Sequence, residues 1–179
     1  VLTDLFDLSI TVPSLDVRRI GSMLQRHLGG DEQLLRNAFG PDAVRGLAAA
    51  VAHRPLGSPR LIFRLVQRVL LLAEYALESR NTRELTEAQW CWVIVSERWP
   101  DFRRFMIRGG RRRWGGLSVA VSALASGQAY GAAGGDGEIG RLLHSDPILS
   151  EYLKIHADGF ERDADGILWL ENLLLASGL

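Results

Sequence analysis

Cysteine is nearly absent. Cys91 is the only one in 179 residues, so no disulfide framework and no multi-cysteine metal site can form within the chain, and a reducing, cytoplasmic setting is expected. Lysine is nearly absent too: Lys154 stands against 20 arginines. A GC-rich genome accounts for most of that bias, while one or two of the arginines can serve as bidentate anion contacts. Net charge is absent, with 21 basic residues against 21 acidic ones. No global positive field therefore draws the chain to nucleic acid or to an anionic membrane. No apolar run reaches the ~18 residues of a membrane span; the longest, VLLLAEYAL at 69–77, is broken by Glu74. The chain does not begin with methionine, and no signal peptide is expected. The opening VLTDLFDLSITVP reads as the middle of a larger protein, from which this domain is cut.

Chemical motifs are scarce as well. A phosphate-binding P-loop needs G-x-x-x-x-G-K-[ST], and the one lysine lies in EYLKIHADG. The glycine-rich GAAGGDGEIG follows no strand and reads as a linker. His144, Asp146, His156, Asp158, Asp163 and Asp165 gather in the last third. DADGILWLE is similar to a calcium loop but lacks its alternation and its glutamate at the twelfth place, so no metal site is expected. No Ser-His-Asp or Cys-His spacing suggests a nucleophile, and Cys91, between two tryptophans, reads as core. These residues alone do not make an enzyme.

What remains is helical periodicity. Leu2 to Val12 is the only strand candidate, or an extended entry segment, and Pro13 stops it. LDVRRIGSMLQRHLGG carries a helical face of Leu15, Ile20, Met23, Leu24 and Leu28 and ends at Gly29-Gly30. DEQLLRNAFG is a short helix or turn, and PDAVRGLAAAVAHR a helix with Pro41 in its first turn. In LGSPRLIFR, Ser58 can cap and Pro59 begin a long helix. Its wide apolar face runs from Ile62 to Leu77 and should extend to about Ser79. Thr86 and Gln89 spell a capping box for a helix closed by Pro100, with Trp90, Val93 and Ile94 on its buried face and Arg98 salt-bridged. DFRRFMI adds a turn or two. RGGRRRWGG is glycine-broken and basic, and Leu117 to Ser126 suits a helix of small residues. Two short helices and an amphipathic C-terminal one, bearing Ile167, Leu168, Leu170, Leu173, Leu174 and Leu175, complete the chain. The expected fold is all-α, a compact array of eight or so helices in a single domain, 1–179. Its parts are an exit segment at 1–13, helices at 14–107, a glycine-rich basic loop region at 108–137, and C-terminal helices at 138–179.

Three stretches, taken in order, resemble the KAP family of P-loop NTPases. LTDLFDLSITVPSLD is similar to the exit from that family's nucleotide core, GSPRLIFRLVQRVLLLAEYAL to its "nPRrikRfiNrl" helix, and WVIVSERWPDFRRFM to its "lliieeRWPelyefl". LLHSDPILSEYLK echoes a later "ll..d..L..fl". A usual lysine is replaced by Phe6 or Asp7, and a usual asparagine by Val66 or Gln67. The resemblance implies relatives among AAA+ and STAND ATPases, in which a helical lid follows an α/β core. A G-x-x-R motif in that lid, matched here by Gly57, Ser58, Pro59 and Arg60, reaches the phosphates of bound ATP with Mg. It implies that Ser58, Arg60 and Arg64 form a sensor-two-like half-site completed by a nucleotide core in the same parent chain. The role implied is a nucleotide-dependent switch in bacterial signalling or anti-phage defence, acting with an effector or sensor protein or as a homo-oligomer.

Two further readings stand beside it. One is a self-standing protein-interaction module that docks through an apolar face such as Leu168 to Leu175. The other uses Arg108, Arg111, Arg112, Arg113 and Trp114 as an anion or nucleic-acid patch, the arginines gripping phosphates and the indole stacking on a base. An isolated cluster on a neutral chain is a weak signal for nucleic acid.

Overall fold

The computed structural model describes residues 17–52, 59–126 and 137–179. These hold eleven helices and no strand, and the chain is all-α. The strand candidate at Leu2–Val12 lies outside the described residues. The helices are α1 (Val17–Leu28), α2 (Glu32–Phe39), α3 (Ala43–Ala52), α4 (Pro59–Glu78), α5 (Glu87–Arg98), α6 (Pro100–Arg108), α7 (Gly110–Ala125), α8 (Gly137–Ser145), α9 (Pro147–Ile155), α10 (Ala157–Arg162) and α11 (Ala164–Ala176).

The array is organised around α5. A helix with one wet face shows a strong apolar stripe, but every residue of α5 from Ala88 to Ser96 is buried. α3, α4, α6, α10 and α11 all pack against it. Its start is the expected capping box. The Gln89 N–H donates to Thr86 Oγ1 at 3.3 Å, and the Thr86 N–H donates to Gln89 Oε1 at 3.0 Å. Pro100 opens α6 instead of merely closing α5.

α4 is the longest element at 20 residues. Ile62, Leu65, Val66, Val69, Leu72, Ala73 and Ala76 are buried as the periodicity predicts. The helix closes in a left-handed turn, with Arg80 at φ 53° and the Asn81 N–H donating to the Ala76 carbonyl at 2.8 Å. That conformation is usually reserved for glycine or asparagine.

Several expectations are corrected. Pro41 lies in the turn before α3, because Asp42 supplies the carbonyl that accepts the first helical bond, from the Gly46 N–H at 2.8 Å. The helix expected over Leu117 to Ser126 starts earlier, at Gly110, so that α7 takes in most of the basic segment expected as glycine-broken loop. Trp114, Leu117, Ala120 and Val121 recur on one buried face, and that burial outweighs the roughly 1 kcal/mol that each glycine costs a helix. HADGFERD forms an additional short helix, α10. In α11, Ile167, Leu170, Leu173 and Leu174 are buried and Leu168 packs against the same core. Of the apolar face expected to dock on a partner, only Leu175 is exposed.

Candidate functional site

The first candidate site lies along α4. Ser58 and Gly57 fall outside the described residues. Arg60, in the first turn, is exposed and has no partner among the described residues. Arg64 and Arg68 follow at one and two further turns, and both reach Glu97 near the end of α5. Arg64 Nη2 lies 2.9 Å from Glu97 Oε1, and Arg68 Nη1 donates to Oε2 at 2.6 Å. Glu97 is 6% exposed and Arg68 16%, whereas Arg64 is 63% exposed. The inner pair is therefore a fixed α4–α5 tie. The outer arginine pairs with the same carboxylate while its side chain stays largely exposed. Of the three guanidinium groups only Arg60 is unengaged, at a helix end whose partial positive charge already favours an anion.

The second candidate, Arg108 to Trp114, is rearranged by α7. Trp114 is 4% exposed, and its ring centroid is 4.5 Å from that of Trp92. It belongs to the core and cannot stack on a base. Arg113 folds back over the Phe105 ring at 3.7 Å, donates to the Phe105 carbonyl, and lies 3.4 Å from Glu138. The side chains of Arg111 and Arg112 lie outside the described residues. Arg108 is exposed, and Arg104 from the same face of α6 pairs with Asp101. The resulting cleft of about 430 Å³ sets two carboxylates, Asp101 and Glu138, among three guanidinium groups. Its charge is mixed, and it offers no exposed indole.

The sequence reading does not anticipate a third constellation. Glu171 of α11 is 2% exposed and accepts from Arg103 Nε at 2.8 Å and from Trp92 Nε1 at 2.6 Å. Arg103 also donates to the Leu179 carbonyl at 2.8 Å. The pattern carries a signal: Glu171 stands between Ile167 and Leu174 on the buried stripe of α11, and a carboxylate in that register needs a buried cation. Glu171 thereby ties α5, α6 and α11 together.

The remaining titratable groups also serve local structure. Asp146 caps α9 through Oδ1, accepting from the Ile148 and Leu149 amides at 3.1 and 3.0 Å, and takes the Trp99 indole N–H at 2.8 Å through Oδ2. Arg98 stacks on Trp99, 5.8 Å from the ring centroid, where the sequence suggests a salt bridge. His156 Nδ1 lies 3.1 Å from Glu87, and Asp163 accepts from the Thr86 hydroxyl at 2.5 Å. Cys91 is fully buried, and its burial holds the thiol pKa well above the ordinary range, so the reactive thiolate is suppressed. Among the described residues no group of three or more His, Cys, Asp or Glu converges to hold a metal, and no helix is long and apolar enough to cross a membrane.

No protein-family model, curated protein or solved structure matches the chain.

Proposed function

We propose that this chain is the helical lid and regulatory region of a KAP-like P-loop NTPase, coupling the nucleotide state of a preceding core to a conformational switch in cytoplasmic signalling or defence. The observation that carries the reading is Arg60. It stands exposed in the first turn of the longest helix, unengaged among the described residues, while its neighbours one and two turns on are tied to Glu97.

A guanidinium group is permanently charged and forks onto phosphate oxygens. Placed on a rigid helix, it could draw a lid onto the terminal phosphate of ATP and stabilise charge there. The Arg68–Glu97 tie would carry that displacement from α4 into α5, and through α5 into the rest of the array. In this reading Arg60 supplies one phosphate contact, and the preceding core holds Mg and the remaining phosphates. The chain alone therefore turns over no ATP in this reading.

The test is ATP hydrolysis by the full-length parent. A charge-assisted hydrogen bond is worth about 1.5–3 kcal/mol, so Arg60→Ala should lower kcat/KM about tenfold to a hundredfold. Arg64→Ala should change it less, because Glu97 already engages that side chain. Wild-type kinetics in Arg60→Ala would refute the phosphate role.

A further inference from the structure

The solvent face of α4 is unusually ordered in chemistry. Arg60, Phe63, Gln67, Leu71 and Glu74 are all exposed, Phe63 by 45% and Leu71 by 54%. At about 100° per residue they fall within an arc of about 80°, forming one continuous stripe. Two large apolar side chains on a single exposed stripe are costly to leave in water. His27 of α1 touches Phe63 edge-on at 5.6 Å but leaves it exposed. Neither Arg60 nor Glu74 has a partner among the described residues.

The stripe is its own complement. Relative to Gln67, Arg60 and Glu74 stand seven residues away in opposite directions, and Phe63 and Leu71 four residues away. Reversing the helix end for end about Gln67 exchanges cation with anion and aromatic with aliphatic. We propose that α4 packs antiparallel against α4 of a second copy across a two-fold axis at Gln67, with Arg60 meeting Glu74 of the other copy and Phe63 meeting Leu71. The isologous geometry makes each contact twice. One helix pair buries less than the roughly 800 Å² per partner of a standard interface, so the dimer is a micromolar, concentration-dependent one.

This inference does not depend on the lid reading. Leu71 and Glu74 belong to the dimer alone, whereas Arg60 would serve both roles. Sedimentation equilibrium of the chain over roughly 1–500 µM decides it, with far-UV circular dichroism confirming that each variant is folded. The wild type should show a reversible monomer–dimer equilibrium, and Leu71→Asp should weaken it at least about tenfold. Arg60→Glu and Glu74→Arg should each be monomeric, because each places like charges opposite one another. An equimolar mixture of these two variants should form a heterodimer, since the two carboxylates on the stripe of one chain then face the two guanidinium groups on the stripe of the other. A wild type that stays monomeric throughout, or a mixture that does not associate, would overturn the proposal.

Discussion

Glu171 is a single carboxylate with three helices depending on it. It takes Arg103 and the Trp92 indole at once, almost without solvent. Removing one member of a buried pair leaves the other charged and unsatisfied, at a cost of about 3–5 kcal/mol. Glu171→Ala should lose that much stability in guanidinium denaturation. The surface pair Arg104–Asp101, with side chains 65% and 88% exposed, supplies the contrast. Arg104→Ala should cost less than about 1 kcal/mol.

At the scale of elements, α3 meets α5 through a glycine. A Cβ on Gly46 would lie 2.5 Å from Trp90 Nε1 and 2.6 Å from Cδ1, and the buried Trp90 has no free direction in which to retreat. Gly46→Ala gains up to about 1 kcal/mol of helix propensity but overpacks the contact by about 1–3 kcal/mol. Thermal unfolding should register a Tm lower by up to roughly 8 °C. The elements that can be read from sequence are those whose signals are local. Thr86 and Gln89 cap each other within one turn, Asp146 and Pro147 open α9, and the apolar face of α4 repeats along its own length. α7 is hidden because its glycines argue against a helix and only the distant Trp92 rewards burying Trp114. The fate of Arg64 and Arg68 is hidden for a similar reason. Their acceptor, Glu97, lies some thirty residues away, and no spacing rule links them. Of the anion-patch residues, periodicity at Trp114, Leu117 and Val121 would have assigned the tryptophan to the core. The arginines around it give no such indication.

For the whole molecule, the buried Cys91 and Tyr152 set an alkaline limit. Burial is the largest influence on both, raising them well above their ordinary values of 9.0 and 10.0. The folded chain therefore keeps protons that the unfolded chain releases, and stability falls as pH rises. The loss begins near pH 9 with Cys91 and steepens near pH 10 when Tyr152 joins, at about 1.4 kcal/mol per pH unit for each group. Urea denaturation between pH 7 and 11 should show this slope. The double variant Cys91→Ala with Tyr152→Phe should show a flatter alkaline limb, whatever its stability at pH 7.

The enclosure of α5 also has a consequence in time. Trp92 and its acceptor Glu171 are 79 residues apart in sequence. A ribosome adding about 5–20 residues per second needs roughly 4–16 s to span that gap. Throughout that interval α5, buried from Ala88 to Ser96 in the finished molecule, can meet α3, α4, α6 and α7 but lacks the α11 contacts that complete its enclosure. The nascent chain therefore carries Trp92 without its buried carboxylate until α11 is made, and the cell's chaperones meet that incompletely enclosed helix.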